Sequence, residues 1–173
     1  MRDFIYQIMT DYTNQVIFLH VVSAVIWVGG MIAILVITKT AHKNVSDDRR
    51  LIGRATLIKS YFKFLIPFIT LSVITAIFMA LGYKDNAIGE DGFIIDYSSM
   101  EIYKYITFKG SIWGAMVMNM FLMLWIISKA EKADCKLQKA ADCMWLVNTY
   151  LLPINILLGT VAIYIGVSIR HAF

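Results

Sequence analysis

The sequence predicts an all-α integral membrane protein: one domain over residues 1–173, a bundle of four transmembrane helices with both termini external. Three observations predict it. Hydrophobic residues make up 59% of the chain, and the mean hydropathy of +0.67 lies above the range of water-soluble domains. Four apolar stretches, approximately 15–37, 62–81, 103–127 and 145–169, each supply the about 20 residues needed to cross a hydrocarbon core of about 30 Å. The charge of the connections between them changes sign from one to the next.

The first stretch follows a short N-terminus carrying Arg2, as a signal peptide does. It is too long for one, and no small-x-small cleavage site leads into a polar domain, so a permanent helix is expected. The first connection holds Lys39, Lys43, Arg49, Arg50, Arg54 and Lys59, with Lys63 just inside the second helix, against Asp47 and Asp48. Lys and Arg concentrate on the cytoplasmic side of membrane proteins, which places this connection inside. Ser46 before Asp47-Asp48 predicts an N-cap, so the second helix should begin well before its apolar stretch. The second connection carries Asp85, Glu90, Asp91, Asp96 and Glu101 against Lys84 and Lys104, and reads as external. It lacks the D-x-D-x-D-G order of a calcium loop. The third connection, with Lys129, Lys132, Lys136 and Lys139, returns to the inside.

Cys135 and Cys143 fall in that third connection, eight residues apart and outside any C-x-x-C arrangement, which disfavours a disulfide or zinc role. The net charge of +4 comes from residues flanking the spans, so topology rather than nucleic-acid binding accounts for it. Pro67 in the second helix and Pro153 in the fourth are expected to kink them, with Thr70, Ser72, Thr75 and Asn155 at hand for the freed backbone groups. The chain has no nucleophile-base pair, phosphate loop or paired carboxylates, which disfavours hydrolysis and phosphoryl transfer.

Ionisable groups inside a span cost about 2.5–3.5 kcal/mol on insertion scales and so call for a function. His20 lies about five or six residues into the first helix, and Lys109 about as far into the third. These two helices run in the same direction, so the offsets place both groups about 8 Å below one surface, able to face a single site. His20, Trp27 and Gly30 or Met31 form one stripe; Lys109, Trp113, Met116, Met120 and Met123 form another. Gly29, Gly30, Gly110, Gly114, Gly159 and Gly166 allow helices, or a flat cofactor, to come close to the backbone; close helix packing is the commoner use. His42 and His171, at span ends, are further ligand candidates against a solvated alternative, and neutral imidazole is a common haem and metal ligand. Met116, Met118, Met120 and Met123 offer thioethers for Cu(I), with Met116 and Met120 one turn apart; apolar packing is the competing use of the same residues.

Leu19-His20-Val21-Val22-Ser23-Ala24-Val25-Ile26-Trp27-Val28-Gly29-Gly30, an L-H followed seven residues on by W-x-G-G, resembles the first-helix signature of the copper-resistance D (CopD-like) membrane family. It is also similar to the opening helix of HemJ-type protoporphyrinogen oxidases. The resemblance runs through the four-helix layout and most of the chain, on short motifs. It implies haem b associated with a first-helix histidine, matched by His20, and a third-helix lysine, matched by Lys109 in Tyr105-Ile106-Thr107-Phe108-Lys109. Leu35-Val36 stands where HemJ-type proteins carry Pro-Arg, and His42 meets their helix-end histidine only with a one-residue shift.

The resemblance therefore implies a haem- or copper-associated bundle in a bacterial inner (cytoplasmic) membrane. In the first reading the chain is a b-type haem redox protein, carrying electrons or acting as a haem-dependent oxidoreductase on a porphyrinogen or quinol. His20 is then the axial ligand, Lys109 the opposite ligand or a partner of the haem propionates, His171 a further iron candidate, and Trp27, Trp113 and Gly30 wall the cofactor. In the second, Cu(I) is handled by His20, Met116 and Met120. A third reading is a structural subunit. The expected partners are the bilayer, the lipophilic substrate and, as an open alternative, a second copy of the chain; nucleic acid is not among them.

Overall fold

The computed structural model describes residues 2–40, 47–85, 101–132 and 137–172, and every described segment is helical. Helix α1 covers Arg2–Thr40, α2 Asp47–Asp85, α3 Glu101–Lys132, α4 Leu137–Leu146 and α5 Leu152–Ala172, with a π-helical turn, Val147–Leu151, joining α4 to α5. Four helical stretches are long and apolar enough to cross a membrane: Asp11–Thr40, Gly53–Leu81, Tyr103–Ala130 and Ala140–Ser168. The last of these runs through α4, the π turn and α5.

The helices outrun their apolar stretches. α2 starts at Asp47, directly after the expected cap at Ser46, which lies outside the described residues. α1 is interrupted at Tyr12, whose φ of −129° and ψ of 23° leave the helical region and separate an N-terminal segment from the span. One expectation needs correction. Cys143 lies not in a connection but in α4, as a free, half-buried thiol, because helix already forms from Leu137; Cys135 lies outside the described residues. α2 passes through Pro67 as one helix. The hydroxyls of Thr70 and Thr75 bond back to the Ile66 and Leu71 carbonyls, not to that of Lys63, whose helical partner the proline removes. Ahead of Pro153 the helix does distort, widening into the π turn.

α1 packs along α2 and α3 along α5, and the two pairs join through α1 against α5 and, over a shorter stretch, α2 against α3. The helices stand in the order α1, α2, α3, α5 around the bundle, with α1 and α3 on the diagonal. Buried side chains recur every three or four residues, as in Ser23, Trp27, Met31, Ile34 and Thr38 of α1 and Ala55, Ile58, Phe62 and Leu65 of α2, one seam per helix. The outward faces stay apolar, with Phe18, Phe64, Phe108, Phe121 and Leu157 exposed. Exposed aromatics collect toward the two ends: Tyr12, Tyr103 and Tyr105 at the end where α1 begins and α5 finishes, here the terminal end, and Trp125, Trp145 and Tyr150 toward the opposite, loop end. Lys129 Nζ lies 3.9 Å from the Trp125 ring centre, and Trp145 meets Tyr150 edge-on at 5.3 Å. α3 rises about 33 Å from Tyr103 to Trp125, close to the thickness of a hydrocarbon core.

Candidate functional site

The site is built where α1, α3 and α5 converge in the terminal half of the bundle, with α2 behind it. His20 turns from α1 toward α2, and its Nδ1 lies 3.2 Å from the Ser72 carbonyl oxygen and 3.0 Å from Thr75 Oγ1. A carbonyl can only accept, so Nδ1 carries the proton and donates. The Thr75 hydroxyl sends its own hydrogen to the carbonyls of Leu71, at 2.8 Å, and Ser72, at 3.1 Å, which leaves its oxygen free to receive the imidazole N–H. Nδ1–H is thus held by α2. In the neutral ring Nε2 then bears the lone pair, and among the described residues it has no hydrogen-bond partner. An imidazole anchored through one nitrogen and open at the other has the arrangement of a metal ligand oriented by its outer shell.

Lys109 comes from the diagonal helix. Its half-buried side chain lies along α5, with Nζ only 2.7 Å from where a Cβ on Gly166 would sit, so the absent side chain of Gly166 makes its seat. Trp27 and Trp113 are in contact, and His20 stands seven residues and Lys109 four residues from them toward the terminal end, about 10 Å and about 6 Å along their helices, so both groups lie in that half of the bundle.

Inward of this pair, Trp27 and Trp113 meet across the diagonal, ring centres 6.4 Å apart and planes at 89°, the edge-to-face geometry that aromatic quadrupoles favour. Both indole nitrogens are buried, and neither finds an acceptor. The tryptophans lie inward of His20 and Lys109 and present two indole donors that have no acceptor among the described residues.

Gly30 serves packing instead. A Cβ there would run into the Tyr61 ring, whose hydroxyl donates to the carbonyl oxygens of Ile26 at 2.8 Å and Trp27 at 2.7 Å, so the notch is filled and no flat ligand rests against it. Gly159 is likewise covered, by Val28 and the Met116 methyl group, whereas Gly29, Gly110 and Gly114 have nothing within 4 Å of a Cβ position.

The methionines divide. Met116, Met120 and Met123 are buried on the stripe expected for them, but Met118 is 74% exposed and points away from it, 200° round the helix from Met116 at about 100° per residue. Met31 is fully buried, and its sulfur receives the Asn155 side-chain N–H at 3.4 Å. Asn155 was expected to serve freed backbone but donates to Met31 instead, while the Leu151 carbonyl at the end of the π turn accepts from Asn119 Nδ2 at 2.8 Å. Tyr61, Thr75 and Asn119 carry no signal in a single sequence beyond being polar within apolar stretches, since their partners depend on which helices pair. His42 lies outside the described residues. The backbone of His171 is in the last turn of α5, and its side chain lies outside what is described. Among the described residues no three His, Cys, Asp or Glu side chains cluster as a metal site, so a metal here would rest on one imidazole and on softer or exogenous ligands.

Fold and site together define a class: an all-helical chain with four helices fit to span a membrane and an open histidine beside a lysine within them. No protein-family model, curated protein or solved structure matches the chain.

Proposed function

We propose that the protein is a membrane-embedded b-type haem redox protein that transfers electrons to, or oxidises, a lipophilic substrate such as a quinol or porphyrinogen, with His20 as the axial ligand. The observation that carries this reading is the Nδ1–H of His20, committed to Ser72 and Thr75, with Nε2 left unpartnered. The residues suit the group: an oriented imidazole for the iron, a basic side chain for the opposite ligand or a propionate, and an aromatic floor that excludes water. Bound haem would supply one-electron chemistry at its iron. The chain's part is to fix the imidazole, keep the site apolar through Trp27 and Trp113, and place Lys109 beside it. In this reading the basic connections face the cytoplasm and both termini face outward, in a bacterial inner membrane, so that the site lies in the outer leaflet.

Copper handling is the second reading, favoured by the burial of Met116 and Met120 on one face. Reduced-minus-oxidised visible spectra and a copper assay on one detergent-purified sample from haem-replete cells separate the two. Soret and alpha bands are expected, lost on His20→Ala and kept on Met116→Leu and Met120→Leu. A sample with no haem bands, or bands untouched by His20→Ala, overturns the proposal. Labelling of single cysteines placed at 44 and 92 by an impermeant reagent in intact cells tests the topology, with only the second expected to react.

A further inference from the structure

Among the described residues Lys109 has no counter-charge. Among the described residues neither a hydrogen bond nor an ion pair holds its ammonium group. The four spans contain only two carboxylates, Asp11 at the start of the first and Asp142 near the start of the last. Asp11 stands about 13 Å along α1 from His20, and Asp142 about 36 Å along its span from Gly166, at about 1.5 Å per residue. A lone cation at this depth is costly and calls for an anion.

The neighbouring groups point the same way. Trp27 is 3% exposed, and its indole N–H has no acceptor; the N–H of Trp113, one turn from Lys109 on the same stripe, has none either. The N–H of His20 is already used. Around this level the described residues thus offer an ammonium and two indole donors, and no acidic side chain among them meets these groups. Next to Trp113, half-buried Gly114 has nothing within 4 Å of a Cβ position, whereas two residues farther on the Met116 methyl is pressed against Gly159. A carboxylate supplies the negative charge and about four lone-pair sites.

We propose that Lys109, Trp27 and Trp113 bind the carboxylate of an apolar, membrane-soluble acid. The site is that of the haem reading, but the inference does not need the iron. It gives Lys109 to a carboxylate and leaves Nε2 of His20 as the iron's protein ligand. Two sources share this chemistry, the fatty acids of the bilayer and the propionates of a tetrapyrrole.

The test uses detergent-purified, haem-free protein and two probe pairs: palmitate with methyl palmitate, and metal-free mesoporphyrin with its dimethyl ester. In at least one pair the acid is expected to bind about tenfold or more tightly than the ester. The indole N–H resonances of Trp27 and Trp113, assigned through Trp→Phe variants, are expected to move downfield with the acid alone. Lys109→Met should abolish the preference, and His20→Ala should keep it. Preference for palmitate assigns the site to a fatty acid, and preference for mesoporphyrin to a tetrapyrrole. Equal binding of acid and ester in both pairs, unmoved indole resonances, or a preference that survives Lys109→Met overturns the proposal. Acid preference in a protein that never takes up haem sinks the haem reading alone; haem bands without acid preference sink only this one.

Discussion

Gly29 and Gly30 are chain neighbours with opposite surroundings, and the same substitution at each should change stability in opposite directions. At Gly30 a methyl group would enter the space of the Tyr61 ring, which is held there by its hydroxyl bonds to the Ile26 and Trp27 carbonyls. Forcing the ring out costs about 1–3 kcal/mol as overpacking and about 0.5–1.5 kcal/mol for the cross-helix hydrogen bond. Alanine returns about 0.5–1 kcal/mol through its better helix propensity, so a net loss of about 1–3 kcal/mol is expected for Gly30→Ala. At Gly29 the methyl meets nothing within 4 Å, and only the propensity gain remains. Thermal unfolding in mild detergent, followed by far-UV circular dichroism, reads the difference; in a chain of this size about 1 kcal/mol moves the midpoint by roughly 2–4 °C. In a Tyr61→Ala background the Gly30→Ala penalty should largely vanish, a coupling of about 1 kcal/mol or more. Equal shifts at the two glycines, or a full penalty that persists without the tyrosine ring, would refute this account of how α1 and α2 lock.

On the proposed haem reading, Thr75→Val removes one acceptor of His20 Nδ1 and should weaken haem retention about tenfold or broaden its bands, while Ser72→Ala, which keeps the carbonyl that His20 uses, should leave the spectrum unchanged. Asn119→Leu strips the Leu151 carbonyl of its side-chain donor within an apolar bundle, for an expected loss of about 1–3 kcal/mol in the same unfolding assay. If copper is the cargo, Met120→Leu should release it and Met118→Leu should not, as copper analysis of the purified variants would show.

The number of helices and their inward stripes were legible because both follow from runs and periods along one chain. The stripes of His20 with Trp27 and of Lys109 with Trp113 face each other through the two tryptophans, because parallel helices bring residues of similar offset to similar depth. Lateral pairing was not legible. Nothing along α1 says that Gly30 receives Tyr61, or that the N–H of His20 is taken by Ser72 and Thr75, because those contacts depend on α1 lying against α2 rather than α3. A tyrosine within an apolar stretch, needing a partner for its hydroxyl, is the one signal that could have drawn attention to position 61. At Pro67 a proline removes one backbone bond, and α2 is helical on both sides of it.

The two halves of the bundle differ in what their unpaired polar atoms ask for, and this difference separates the two cofactor readings. Toward the loop end the methionines are already engaged: Met31 and Met123 are sealed in the core, Met116 presses its methyl on Gly159, and the Met31 sulfur accepts from Asn155. Among the described residues the unpaired buried side-chain atoms there are Oδ1 of Asn155, both amide atoms of Asn148 and Nε of Arg54, whose side chain has a further interaction of its own. An amide sets donor beside acceptor, a combination that water or another amide can match, and it makes no demand for charge. Toward the terminal end the unpaired groups are an ammonium and two indole N–H donors, next to an imidazole whose free nitrogen is a lone pair. Water cannot neutralise an ammonium in an apolar surround. A ligand with an electron-poor centre for Nε2 and acidic oxygens for Lys109 and the tryptophans answers all of these at once, whereas Cu(I) would answer the imidazole and add a second positive charge beside the first. That charge argument supports the proposal that the working end of the bundle is at His20 and Lys109, and within that proposal it favours an anionic, metal-bearing ligand over a bare cation.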